Sequence, residues 1–150
     1  MVSSRNTKLE PILKIAVGGF TSARTKLRIS VLLNTMPEYQ VTYVDSDREI
    51  AKIIHDVDLV IGAGTMAREG VLRQKSVIVV GDYGMEGLIT PTNFHNQINN
   101  DFKGRINGMK DEYFSLELLE REIKKSQDLT FQELKMMSNQ MITFLHNIDF

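Results

Sequence analysis

Residues 58–81 constrain the fold more than any other part of the chain, because two uninterrupted apolar runs enclose a glycine turn and a helical pattern. The runs are 59–61 and 77–80, the turn is 62–65, and residues 66–74 have helical spacing. Continuous apolar runs are typical of strands that are buried on both faces, and parallel strands need a crossover, usually a helix, between them. The stretch therefore predicts a strand, a helix and a parallel strand.

The turn at 62–65 is the first candidate for a ligand site. In an open α/β sheet, ligands bind beyond the carboxyl ends of the strands, where a helix N-terminus offers backbone N–H groups. Gly62 and Gly64 allow close approach of a ligand to the backbone, and Thr65 is expected to cap the helix. Glu69 follows about one turn later and is expected to accept hydrogen bonds from a diol such as a ribose.

The preceding part of the chain repeats the same alternation. Strands are expected at 12–17 and 41–44, and helices after the candidate cap Thr21-Ser22 and after the capping box of Ser46 and Glu49. The order of elements is then β-α-β-α-β-α-β. With right-handed crossovers, this order predicts an α/β fold, a Rossmann-like doubly wound parallel sheet with flanking helices and a helical C-terminal tail.

After residue 81 the pattern loosens into a long stretch rich in turn residues, 82–108, which is expected to be functional and to contain one short strand around Leu88-Ile89. Two helices follow, marked by apolar residues at 116–123 and 131–145. The last helix is rich in Met and Phe. We expect it to pack on the sheet or on the preceding helix; the alternative is docking onto an absent domain or another copy of the chain.

Composition places the chain among soluble globular proteins of one domain. We expect residues 1–11 to form a flexible lead-in or linker and residues 12–150 a single domain. The 18 basic and 19 acidic residues are scattered, which does not favour nucleic-acid binding. There is no cysteine, no signal peptide and no apolar segment that approaches a membrane span. A cytoplasmic location without a transmembrane segment is the prediction.

Few side chains suggest covalent or metal chemistry. No nucleophile stands beside a plausible base, so the catalytic residues stay unknown, and the three histidines lie in unrelated segments without ligand spacing. His95, in the long loop, is a weak candidate. Arg24 and Lys26 follow the glycine turn of the first strand, where they can reach anionic oxygens if the first and third strands are neighbours.

The run GAGTMAREGVLRQKSVIVVGDYGMEGLITPTNF, residues 62–94, resembles the C-terminal, nucleotide-sugar-binding half of glycosyltransferases of the GT-B type, which have two Rossmann-like domains. The wider similarity covers about Leu13 to Arg105. The resemblance implies that Glu69 binds the ribose of the donor and that the backbone amides of Gly64, Thr65 and Met66 hold its diphosphate.

The same resemblance implies further donor contacts. Gly19, Arg24 and Lys26 correspond to a phosphate-binding loop, while Asp82 and Tyr83, followed by glycine, approach the sugar or the base. It implies a nucleotide-diphosphate sugar such as a UDP-sugar as substrate, no cofactor and no metal. The acceptor-binding half of such enzymes has no counterpart here. A separate acceptor-domain chain, or a second copy bound through the C-terminal helix, is the expected partner, and the chain alone is expected to transfer little sugar.

Two other interpretations stay open. One is a noncatalytic Rossmann-like module that binds a nucleotide or another protein. The other is a flavodoxin-like or receiver-like domain, suggested by Asp45 at the end of the second strand. A receiver needs a phosphoryl acceptor at the end of its third strand, where this chain has Gly62.

Overall fold

The computed structural model describes residues 13–19, 23–81, 84–99, 101–104 and 115–148. The predicted lead-in at 1–11 and the predicted cap at Thr21-Ser22 lie outside these residues.

Among these described residues, five strands form one sheet, and the first four are parallel. They are β1 (Leu13–Gly18), β2 (Tyr39–Val44), β3 (Leu59–Gly62), β4 (Ser76–Gly81) and β5 (Gly84–Leu88). Their order across the sheet is β2-β1-β3-β4-β5, with β5 antiparallel to β4. The predicted α/β fold and the predicted parallel pairing of the strands around residues 62–65 are confirmed.

The described ranges contain six helices beside the sheet: α1 (Ala23–Asn34), α2 (Asp47–Ile53), α3 (Gly64–Leu72), α4 (Phe94–Asn99), α5 (Leu116–Asp128) and α6 (Phe131–Ile148). A short 3-10 turn, Ile54–Asp56, follows α2. The predicted cap of α2 is confirmed, since the Ser46 hydroxyl accepts a hydrogen bond from the Glu49 amide at 3.2 Å. The order β-α-β-α-β-α-β is therefore present as far as β4.

The sheet is buried on both sides because β3 is apolar at every position and β1 and β4 are apolar apart from Lys14 and Ser76. Ile15, Leu59 and Ile78 face the cluster that also contains residues of α1 and α5. Ala16 and Val60 face the opposite cluster, which contains residues of α2, α3, α4 and α6. Alternation along each strand thus supplies two cores, one on each face, as the uninterrupted apolar runs predict.

The last strand differs from its prediction. A short strand was expected around Leu88-Ile89, whereas β5 begins at Gly84 and runs antiparallel to β4 with an irregular register at Val79/Val80. The Glu122 carboxylate, buried on α5, accepts a hydrogen bond from the Leu88 amide at 2.7 Å. The glycines of β5 provide no apolar side chains, so the sequence of this strand lacks the apolar pattern from which a strand is predicted.

The C-terminal helix packs on the domain, as expected. Met141 and Leu145 are buried in the same core cluster as residues of α2, α3 and α4. Phe131 and Met136 lie outside this contact, with 80% and 64% of their surface exposed. In the described part of the chain, none of the helices has the length and apolar character that crossing a bilayer requires.

Candidate functional site

The site lies where the chain reverses its direction across the sheet. From β1 the chain passes to β2 on one side and then returns to β3 on the other, so β1 and β3 are neighbours. The connections that follow β1 and β3 lead to opposite sides of the sheet and therefore diverge. Gly18 and Gly62 are paired at these ends. The predicted adjacency of the first and third strands is confirmed, and it creates the crevice in which open α/β proteins bind ligands.

A cleft of about 410 Å³ opens at this point. This volume is in the range of sites for small-molecule ligands. The cleft is lined by three groups of residues: the strand ends (Gly19 and Ala63), the first turns of α3 (Gly64, Thr65 and Arg68) and a segment from the long loop (Ile98, Asp101, Phe102 and Lys103).

The N-terminus of α3 forms one wall of the cleft. Ala63 is the N-cap residue and makes no side-chain capping bond, so the prediction that Thr65 caps this helix is wrong: Thr65 lies exposed within the first turn. The Gly64 amide donates to the Phe102 carbonyl at 3.0 Å. The next amides, of Thr65 and Met66, have no acceptor within the helix because they belong to its first turn.

Helical spacing determines which charged side chain of α3 reaches the cleft. Arg68 is four residues after Gly64, so both lie on the same face, and the side chain of Arg68 lines the cleft. Glu69 is turned a further 100° and is not among the described residues that line it. Its carboxylate instead lies 3.6 Å from the guanidinium of Arg73, one turn later. The ribose-binding role of Glu69 stays a prediction.

The segment 97–104, of which residues 97–99 and 101–104 are described, contributes the opposite wall, and its two ends are joined by hydrogen bonds. The side chain of Gln97 is fully buried, and its amide group donates to the Gly104 carbonyl at 2.7 Å and accepts from the Gly104 amide at 3.3 Å. Between them, the ring of Phe102 is buried against Phe94, with ring centroids 6.0 Å apart. Lys103 and Asp101 are exposed and are thereby held across the cleft from α3.

The first predicted phosphate loop is only partly at the cleft. Gly19 lines it, and also lines a smaller cavity of about 50 Å³ beside Met66 at the end of β2. Lys26 lies 3.4 Å from Asp45, which lines that smaller cavity, and its ammonium is 5.8 Å from the centre of the Tyr43 ring. Burial raises the pKa of the Tyr43 hydroxyl above its ordinary value.

The other predicted residues are distributed as follows. Arg24 is exposed in the first turn of α1 and lines neither cavity. The side chain of Met66 is buried in the core, and Met66 lines the smaller cavity rather than the cleft. Asp82 and Tyr83 lie outside the described residues. The ring of His95 packs edge-on against Phe144 of α6, at 4.1 Å between centroids.

The described lining of the site therefore carries two cations, one carboxylate and a helix N-terminus, which has a partial positive charge. Such a set suits an anionic ligand. Within the described ranges, no cluster of three or more His, Asp or Glu side chains has the arrangement needed to hold a metal ion.

Sequence reasoning did not single out Arg68, Asp101 or Lys103. The spacing of Arg68 from Gly64 was a usable signal, since residues four apart share a helix face. Asp101 and Lys103 carry no local signal, because they follow β3 by about 40 residues and come to the cleft only through tertiary contacts. No protein-family model, curated protein or solved structure matches this chain.

Proposed function

We propose that this chain is the donor-binding domain of a GT-B type glycosyltransferase and binds a nucleotide-diphosphate sugar in the cleft between β1, β3 and the segment 97–104. One observation supports this proposal most: Arg68, Lys103 and the N-terminus of α3 line the same cleft at the switch point of the sheet. The positive groups suit the negative charge of a diphosphate. The concave shape of the cleft suits the nucleoside and the sugar on either side of it.

The chemistry follows from charge. Transfer of a sugar breaks its bond to the diphosphate, and negative charge grows on the departing oxygen. The Gly64 amide already donates to the Phe102 carbonyl, so the amides of Thr65 and Met66 are the ones that donate to these oxygens, while the cations neutralise them. Arg68 presents several N–H donors in a planar arrangement, and Lys103 provides a compact positive charge. These groups stabilise the leaving group rather than attack the sugar.

The acceptor must then come from another surface. The mouth of the cleft opens at the carboxyl ends of β1 and β3, between the N-terminus of α3 and residues 101–103. We propose that a separate acceptor-binding chain, or a second copy of this chain, covers this mouth and supplies the attacking hydroxyl. Mixing the chain with an acceptor-domain chain would then produce transferase activity that neither shows alone.

Thermal unfolding in the presence of ligands tests donor binding directly. UDP, GDP, ADP and CMP, with the corresponding nucleotide sugars, are each titrated while the melting temperature is recorded. A ligand that binds only the folded state at 100 times its Kd stabilises it by about 2.7 kcal/mol. We expect one nucleoside diphosphate to raise the melting temperature by roughly 5–11 °C at that ratio. Inorganic sulfate serves as the control, and an equal response to sulfate and to all nucleotides would contradict the proposal.

A second function, nucleotide binding without transfer, is favoured by one feature. Phe131 and Met136 on α6 are large, apolar and exposed, which suits contact with another protein. In this case the chain binds its nucleotide, but no acceptor-domain chain restores sugar transfer.

Substitution of Gly64 tests whether the ligand approaches the start of α3. A Cβ at this position would meet no atom within 4 Å, so the new methyl group of Gly64→Ala points into open space at the cleft. The backbone φ of +62° makes alanine strained there, at roughly 1–2 kcal/mol. We expect a loss of nucleotide affinity of about tenfold, because the methyl group occupies ligand space. Isothermal calorimetry measures it, and unchanged affinity would place the ligand elsewhere.

A further inference from the structure

The carboxylates of Glu69 and Asp101 are two candidates for recognising hydroxyl groups of a ligand in or near the cleft. Glu69 is half-buried and lies beside the guanidinium of Arg73. Asp101 is exposed and lines the cleft itself, together with Arg68 and Lys103. A carboxylate in a site for a diphosphate repels the phosphates unless the ligand also offers hydrogen-bond donors to it. The position of the Asp101 carboxylate beside Arg68 and Lys103 therefore favours a ligand that offers it hydrogen-bond donors.

The backbone at Asp101 is unusual for its residue type. Asp101 and Phe102 have φ values of 59° and 58°, in the left-handed region that favours glycine. The Asp101 amide donates to the Ile98 carbonyl at 3.3 Å and the Phe102 amide to the Gln97 carbonyl at 2.7 Å. This pattern is a Schellman-type end of α4, in which the position of Asp101 is usually glycine. Residues held in such conformations cluster at ligand sites.

The position of Asp101 is fixed relative to the start of α3. The Phe102 carbonyl, next in the chain, accepts the hydrogen bond of the Gly64 amide, and the Phe102 ring is buried. On the other side, Gln97 holds Gly104 by two hydrogen bonds. These contacts fix the backbone of Asp101 beside the start of α3, where the diphosphate is proposed to bind. A carboxylate held in this way is suited to recognise a group that neighbours the diphosphate in the ligand.

We propose that Asp101, and not Glu69, selects ligands that carry a vicinal diol, by accepting hydrogen bonds from its two hydroxyl groups. This inference rests on the proposed function. An ionised carboxylate only accepts hydrogen bonds, and its two oxygens suit a pair of adjacent hydroxyls. The diol belongs either to the ribose of the nucleotide or to the transferred sugar. Loss of one hydroxyl then leaves the carboxylate unpaired among bound phosphates, which penalises deoxy ligands.

Calorimetric affinities for two ligand pairs test the proposal. One pair is the bound nucleoside diphosphate and its 2′-deoxy analogue; the other is the nucleotide sugar and its 2-deoxy-sugar analogue. We expect the unaltered protein to prefer the hydroxylated member of one pair by about tenfold or more. In Asp101→Gly, this preference should fall to within about twofold, while the deoxy ligand binds at least as tightly as before. The pair that responds identifies which sugar Asp101 contacts.

The variant is chosen to fold, since glycine fits the left-handed backbone at this position. Gln74→Gly is the matched control: Gln74 is also a non-glycine residue with positive φ, 62°, but it lies beyond the end of α3 and outside the cleft. Its ligand preference should equal that of the unaltered protein.

Three results would overturn the inference. If Asp101→Gly keeps the full preference, or if Glu69→Gln removes it instead, the nucleotide binds as proposed but Asp101 does not select it. If the unaltered protein binds none of the ligands, the proposed function fails, and the inference fails with it. Binding by the unaltered protein thus separates the two failures.

Discussion

Gly62→Ala is expected to destabilise the protein more than any other substitution considered, by about 3 kcal/mol. A Cβ at Gly62 would collide with the Gly18 carbonyl oxygen, which belongs to the backbone of the neighbouring strand. A flexible side chain could move away, but this oxygen moves only if the strand does. At this chain length the loss corresponds to a decrease in melting temperature of roughly 6–12 °C. Urea denaturation with linear extrapolation measures the free energy of unfolding.

Gly64→Ala is the matched comparison for this prediction. The two glycines are two residues apart, but only the Cβ at Gly62 would meet backbone atoms. Gly64→Ala should therefore lose less stability than Gly62→Ala. For each kcal/mol of stability that it loses, it should lose more nucleotide affinity, because its methyl group lies in the cleft. Surface substitutions usually change the free energy of unfolding by no more than about 0.5 kcal/mol. If the change in Gly62→Ala is this small, the close approach of β1 and β3 is incorrect.

Combined replacement of both cations, Arg68→Gln with Lys103→Gln, is expected to have the largest effect on ligand binding. Hydrogen bonds to charged groups contribute about 1.5–3 kcal/mol, and 1.4 kcal/mol corresponds to tenfold in affinity. Lys103 is exposed and Arg68 is partly exposed, so solvent screening favours the lower value. We expect the double variant to bind the nucleoside diphosphate roughly 100-fold more weakly, while the nucleoside without phosphates is unaffected.

A second double variant controls for net charge. Arg121→Gln with Lys135→Gln removes the same two charges from exposed positions on α5 and α6, outside the cleft. Its affinity should stay within about twofold of the unaltered protein at physiological salt, where charges more than about 8 Å apart are largely screened. Equal losses in the two double variants would mean that the ligand responds to overall charge rather than to this cleft.

The residues of the α/β repeat determine most of the architecture locally. The apolar runs at 59–61 and 77–80 suffice to predict buried strands, because a strand covered on both faces needs apolar side chains at every position. The capping box at Ser46 sets where α2 begins, since its hydroxyl satisfies an amide of the first turn. Such features involve residues within a few positions of each other, and the sequence displays them directly.

The wall of the cleft that contains Asp101 and Lys103 follows a different rule. It depends on the pairing of Gln97 with Gly104 and on the contact between Phe102 and the start of α3. These bonds join segments that share no periodic pattern. The resemblance to glycosyltransferases pointed to Glu69 on α3, whereas the spacing of four residues from Gly64 brings Arg68 to the cleft.

The sequence by itself thus determined the alternation of strands and helices, the parallel pairing around residues 62–65 and the location of a candidate site at the ends of those strands. Hydrophobic periodicity and chain connectivity carry this information, and both can be read along the chain. Only the tertiary structure decided that β5 reverses direction, that the segment 97–104 crosses to α3, and which charges face the cleft. β5 pairs with its neighbour in sequence, but its glycines give no apolar pattern. The other two outcomes depend on contacts between residues distant in sequence, whose favourable free energy arises only once the sheet and helices are packed together.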